Sequence, residues 1–324
     1  MIKKHIITFL KILISCSLIY YLLHKIGVGN IVEQFLSLEI FWFITGLLIF
    51  TASNFLGSLQ WKLILDSHDV RLSFRKVLSY YYAGLFFNNF LIGYVGGDAI
   101  RIYDISRNTN KTSAAIASVI LDRFIGFVLL TTMALLGALL WINNEVSAKI
   151  LPILLIILAG WLLLIFLLFN KSIVGRYITI FKKLIPKQLI NKISEIYNAI
   201  HAFQDKGDVL VKISMISIFT QGLRIFVHYV AARSIGVKLD IVYFIIFVPI
   251  IALISSLPIS IGGIGVRETS GVALFTQAGA VESDVVAFEF IAYLIGIVST
   301  LPGGIVFMFR KDYKEPLTTG GILE

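Results

Sequence analysis

NFLIGYVGGDAIR (residues 89–101) and SSLPISIGGIGVR (residues 255–267) are two versions of one pattern. Each closes an apolar run, turns at a Gly-Gly pair, and carries an arginine four residues beyond the second glycine. They stand about half a chain apart, and the acid Asp122 downstream of the first corresponds to Glu289 downstream of the second. A chain that repeats such a turn inside apolar sequence points to an inverted-repeat membrane protein, the plan of many secondary transporters.

The surrounding composition agrees. Of 324 residues, 58% are hydrophobic and 15% charged, with 25 phenylalanines, and the mean hydropathy is +0.90. Soluble domains are about 45–50% apolar and about 25% charged. The apolar runs are continuous rather than alternating, which excludes an outer-membrane barrel. Runs of about 20 residues, long enough to cross a bilayer, lie at 40–60, 114–142, 150–170, 209–233 and 284–309. The N-terminal run from His5 to Leu23 follows Lys3-Lys4 and lacks a small-residue cleavage site, so it reads as an uncleaved first span rather than a signal peptide. The stretches 77–96 and 241–260 end in the Gly-Gly turns and read as re-entrant or broken helices.

Charge supports that count. The 28 Lys and Arg exceed the 19 Asp and Glu. With six crossings and both termini cytoplasmic, most basic residues fall inside, including Lys62, Arg71, Arg75, Lys76, Arg107 and Lys111 and those of the 171–206 loop. That is the positive-inside asymmetry, and it excludes a nucleic-acid partner as the reason for the positive charge. In the loop, Ile178, Phe181 and Leu184, then Ile193, Ile196 and Ile200, suit an amphipathic helix pair on the inner leaflet; a solvated linker is the alternative. The expected fold is all-α: a polytopic helix bundle of one domain, 1–324, with repeat halves at 1–148 and 149–312.

The motif has a chemical reading. Gly-Gly permits positive φ, and freed backbone at membrane depth is tolerated only against protein or a water-filled cavity. The helix opening after Gly96, Gly97 and Asp98, or after Gly262 and Gly263, offers N–H groups to an anion. Arg101 and Arg267 add a guanidinium fork matched to phosphate or carboxylate. With Asn89, these residues form the expected site for an anionic lipid headgroup. The structural alternative is that Asp98 caps its own helix and Arg267 pairs with Glu268. Asp122, Arg123, Arg224, Glu268 and Glu289 are the candidate gating or supporting groups. Burying charge in lipid costs about 2.5–3.5 kcal/mol or more per group, so these face the protein interior. Gln221, Arg224 and His228 share one helix face.

Other chemistries lack their residues. A single cysteine, Cys16, and five scattered histidines give no Cys- or His-based metal site. No phosphate-binding P-loop exists, and the Gly263-Ile-Gly265 segment lacks the third glycine of a dinucleotide loop. No cofactor is expected. No soluble catalytic domain is expected at either end.

The run Phe87-Asn88-Asn89, the motif through Arg101, Leu121-Asp122-Arg123, and Leu257-Pro258 through Arg267-Glu268 resemble the transmembrane region of lysylphosphatidylglycerol synthases, the flippase-like UPF0104 family. The resemblance spans nearly the whole chain. It departs where the family usually has proline at the position of Ile92 and Glu-Arg at Asp122-Arg123. It implies a lipid-translocating or lipid-handling protein, multi-pass in the inner (cytoplasmic) membrane, of bacterial kind. Phospholipid or polyprenyl-linked lipid would be the substrate, and a membrane-associated transferase a partner. Two rivals stay open: a membrane-embedded lipid transferase with Asp98 or Glu268 as base, and a scaffold for a separate glycosyl- or aminoacyltransferase. Lysyl transfer itself does not follow from these residues.

Overall fold

The computed structural model describes residues 36, 38–90, 95–141, 145–171, 187–260 and 262–309. The expected first span at 5–23, Ile92, the Ile178–Leu184 helix and the tail lie outside them. The described residues form helices joined by turns and short irregular links, with no strand among them. Among the described residues, five helices are long and apolar enough to cross a membrane: α1 (Ile40–Ser67), α4 (Thr112–Leu140), α5 (Glu145–Phe169), α7 (Gly207–Ser234) and α10 (Glu282–Phe309). Helices α2 (Phe74–Phe90), α3 (Val95–Thr109), α8 (Ile241–Ser256) and α9 (Val266–Phe275) are shorter, and α6 (Lys187–His201) is amphipathic.

The pair α1 and α7 forms the central seam and runs antiparallel. Glu39 N donates to Ser234 O at 2.7 Å at one end. Gly46 lies against Val230, and Lys206 Nζ donates to Ser67 O at the other end. Lys111 Nζ donates to Asp69 O at 2.9 Å at that same end. The segments joining α1 to α2, α3 to α4 and α6 to α7 therefore share one basic face of the bundle.

Helices α2 and α3 pack as a hairpin, and α8 and α9 as another. The first starts from the basic face, and its tip reaches the middle of α10, where Asn89 Nδ2 donates to Thr300 Oγ1 at 2.8 Å. The second starts from the opposite face, where Ile245 and Ile246 of α8 pack on Gly137 near the end of α4. Their tips meet, because a Cβ at Gly262 would sit 2.9 Å from Asn89 O. The two hairpins thus enter the bundle from opposite ends.

The glycine pairs solve different problems. Gly262, Gly263 and Gly265 have φ of 58°, 78° and 81°, the turn that the sequence suggests. Leu257 precedes Pro258, which disfavours helix, and it ends α8 with extended ψ of 140°. Gly96 and Gly97 correct the expectation. They lie within α3, whose helix already begins at Val95, and neither has positive φ. Gly97 is there for close approach: any Cβ would collide with Gly84 O and stand 2.5 Å from Asn88 Oδ1. Gly97 N donates to Asn88 Oδ1 at 2.9 Å.

Apolar packing fixes both ends. Phe244, Phe247, Phe275 and Phe288 are fully buried and clasp α8, α9 and α10 through edge-on and tilted ring contacts of 4.9–5.7 Å, a preferred aromatic geometry. On the basic side, Ile196 and Ile200 of α6 pack with Leu121, Ile125 and Phe203. Helix α6 is therefore docked on the bundle rather than a solvated linker. Ile193, expected on the same face, points outward.

Gly97→Ala should destabilise the protein by about 1–3 kcal/mol or more through overpacking, read as a lower Tm in detergent. Gly160→Ala is the control, since Gly160 has nothing within 4 Å. A second effect concerns pH. His68, edge-on to Phe203 at 5.0 Å, has its pKa pushed down to about 4 by burial and then by Lys206. The folded protein resists a proton that the unfolded chain accepts below about pH 6.5. Its stability contribution is complete above that pH and declines as pH falls toward 4. A Tm-against-pH profile of His68→Gln should be flatter over that window.

Candidate functional site: a polar cavity between the hairpins

On the first-hairpin side, two arginines and two carboxylates bond one another, and Arg101 Nε is left buried without a hydrogen-bond partner. Asp122 of α4 receives Arg101 Nη2 at 2.9 Å and Gln60 Nε2 at 2.9 Å. Asp98 receives Arg123 Nε and Nη2 at 2.9 and 3.0 Å, and Arg101 Nη1 at 3.4 Å. Arg101 is 2% exposed. Its guanidinium carbon lies 4.1 Å from the Trp61 ring centre and 4.7 Å from that of Tyr81, a cation–π cage. Gly84 leaves room for its aliphatic stem. Asp98 therefore works across helices rather than as a simple cap.

The second hairpin arranges its equivalents differently. Glu268 Oε2 accepts from Gly265 N at 2.7 Å and closes the start of α9, where the sequence alternative had Glu268 pairing with Arg267. The Arg267 guanidinium lies over the Tyr293 ring at 5.1 Å. Glu289 is 0% exposed, and His228 Nδ1 approaches its carboxylate at 3.1 Å. Arg224 Nη2 donates to the Tyr81 hydroxyl at 3.3 Å, while its Nε is buried without a partner.

These groups surround a cavity of about 190 Å³. Of the residues singled out from sequence, Asn89, Arg101, Asp122, Arg123, Arg224 and Arg267 line it. The shared face of Gln221, Arg224 and His228 lines it too. Gly96, Gly97, Asp98, Gly262, Gly263, Glu268 and Glu289 do not line it. Sequence reasoning missed Gln60, Tyr81, Asn88, Tyr293 and Thr300, all of which line it. Tyr81 sits in a run of three tyrosines that signals nothing beyond an apolar face, and Gln60 lies within an ordinary span. Among the described residues, no group of three or more His, Cys, Asp or Glu side chains is placed to hold a metal ion.

The sequence matches the family of the lysylphosphatidylglycerol synthase TM region over residues 8–303. It is 24% identical to a UPF0104 membrane protein of Pyrococcus horikoshii, over 94% of this chain and 97% of the relative. It is 28% identical to another UPF0104 membrane protein, of Methanothermobacter thermautotrophicus, over 69% of this chain and 70% of the relative. Both relatives are archaeal, so a bacterial setting gains no support from them. The chain belongs to this membrane-protein family.

Breaking a buried ion pair from one side leaves an uncompensated charge and costs about 3–5 kcal/mol. Asp122→Ala and Arg101→Ala should each destabilise on that scale. The double variant should be less destabilised than the two losses added together. Thermal unfolding in detergent measures the cycle.

Proposed function

We propose that this member of the lysylphosphatidylglycerol synthase transmembrane family moves a membrane lipid with an anionic headgroup across the bilayer. The observation that carries the reading is Arg224: a guanidinium on a spanning helix, facing the cavity, with one hydrogen bond and a buried unpartnered Nε. Charge at that depth needs an anion or a carboxylate partner. A phosphate-bearing headgroup supplies one in the geometry that a guanidinium prefers.

Four arginines border the cavity, but they are not equivalent. Arg101 and Arg123 already meet Asp122 and Asp98, so Arg101 acts as a support for the wall. In this reading Arg224 and Arg267 take the headgroup, with Asn89 at the hairpin junction. The cavity is smaller than the roughly 300–1,000 Å³ of sites that enclose drug-sized ligands. It accommodates a headgroup while the acyl chains stay in the bilayer.

The repeat halves 1–148 and 149–312 supply one hairpin each. Their opposed entry suits alternating access, with each tip gating one side. The basic face faces the cytoplasm by the positive-inside rule, and the cytoplasmic membrane is the site of action.

Proteoliposomes bearing labelled anionic, zwitterionic or lysyl-modified phospholipids test this. Wild type should move headgroups selectively. Arg224→Gln and Arg267→Gln should each slow movement about tenfold or more, the scale of a charge-assisted hydrogen bond. Movement of no lipid by folded wild-type protein would overturn the reading in favour of a scaffold for a separate transferase.

A further inference from the structure

The wall of the cavity is rich in cations and poor in carboxylate. The guanidiniums of Arg101, Arg123, Arg224 and Arg267 line it. Asp122 is the one carboxylate among the described residues that line it. Both its oxygens are taken, Oδ1 by Gln60 and Oδ2 by Arg101. Glu289, which does not line the cavity, meets His228. Three lining side chains carry a buried N–H without a hydrogen-bond partner: Asn88 Nδ2, Arg101 Nε and Arg224 Nε.

Asn88 is the most informative of the three. It is 3% exposed, and its Oδ1 accepts from Gly97 N at 2.9 Å. A backbone N–H can only donate, so that bond fixes which end of the amide is oxygen and leaves the NH₂ group as the unpaired end. Gly84 and Gly97, in close approach at this crossing, hold the side chain in place. A buried donor left unpaired is costly, and an oxygen acceptor removes the cost. Asn88 comes from the first hairpin and Arg224 from the spanning helix α7. A ligand that fills the cavity therefore meets unpaired donors from two separate elements.

Such a wall suits the oxygens of a phosphate ester and opposes an ammonium. An ammonium has three donors and no acceptor. Held here it leaves water, faces guanidiniums, and finds the lining carboxylate already bonded on both oxygens. We propose that the cavity selects phosphate esters that carry no amine, and that Asn88, with Arg224, enforces the choice. The phosphate oxygens accept from Arg224 and Asn88. Headgroups bearing ethanolamine or an aminoacyl group are rejected through their unpaired charge, a general route to specificity. The inference rests on the lipid-moving reading for its substrate and narrows that substrate to amine-free headgroups.

Soluble analogues separate the site from the transport. Glycerol phosphate and phosphoethanolamine share the phosphate ester and differ by the ammonium. Calorimetric titration of each into the protein in uncharged detergent should show glycerol phosphate binding about tenfold or more tightly, the scale of one charge-assisted hydrogen bond. Equal affinities, the reverse order, or binding of neither overturns the proposal. Asn88→Asp is nearly isosteric, keeps an oxygen for Gly97 N–H, and turns the unpaired donor into an acceptor. It should weaken glycerol phosphate about tenfold or more and narrow the gap to phosphoethanolamine. Unchanged binding, or equal loss for both analogues, removes Asn88 from the recognition. Arg224→Lys keeps the charge and deletes Nε, so it tests the same donor set should Asn88→Asp lower the Tm of the free protein. It should weaken glycerol phosphate, and unchanged affinity counts against the donor set. In proteoliposomes, labelled phosphatidylglycerol should move faster than phosphatidylethanolamine or a lysyl-modified lipid. Faster movement of either amine-bearing lipid overturns the selectivity. Movement of no lipid, with the soluble preference intact, removes the lipid reading and leaves a site for a free phosphate ester.

Discussion

Four charged side chains, Arg101, Asp122, Asp98 and Arg123, hold one another at the centre of the bundle, beside the polar cavity. Remove any one and its neighbour becomes an uncompensated charge in a medium that penalises it heavily. That constraint explains much of the local sequence. Gly84 and Gly97 bring α2 and α3 into backbone contact, which is what lets Arg101 reach Asp122 across the hairpin. Gln60, Trp61 and Tyr81 complete the cage by a hydrogen bond and two aromatic faces. Trp61 is itself pinned by its indole N–H to Ser118 Oγ at 3.0 Å. Charge, rather than apolar burial, selects the register of the first hairpin.

The second hairpin faces the same bilayer and answers it differently. Its turn is made by positive-φ glycines, its helix start is closed by Glu268, and its root is clasped by four phenylalanines. Apolar packing holds the root of this hairpin, and Glu268 closes the start of its second helix. The first hairpin is held mainly by charge and the second mainly by apolar packing.

Much of this was legible in the sequence because membranes make sequences loud. Span positions follow from apolar length, and the hairpins follow from paired glycine motifs inside apolar runs. The shared face of Gln221, Arg224 and His228 follows from helical spacing alone. What the sequence hides is partner choice. Nothing local distinguishes Gly97, placed for a backbone crossing, from Gly263, placed for a left-handed turn. Nothing in the spacing of Arg101 and Arg267 says that one is caged between rings and carboxylates and the other lies over Tyr293. Those outcomes depend on Gln60, Trp61 and Tyr81, which arrive from distant segments and carry no motif. The partner of Asp98 is hidden for the same reason: Arg123 lies a helix away.

The difference between the halves also bears on how such a protein could cycle. A network of matched, permanently charged groups has a single low-energy arrangement, since arginine keeps its proton at any physiological pH. It resists motion. Asn89 of the first hairpin touches Gly262 of the second, so the two hairpins meet tip to tip beside the cavity.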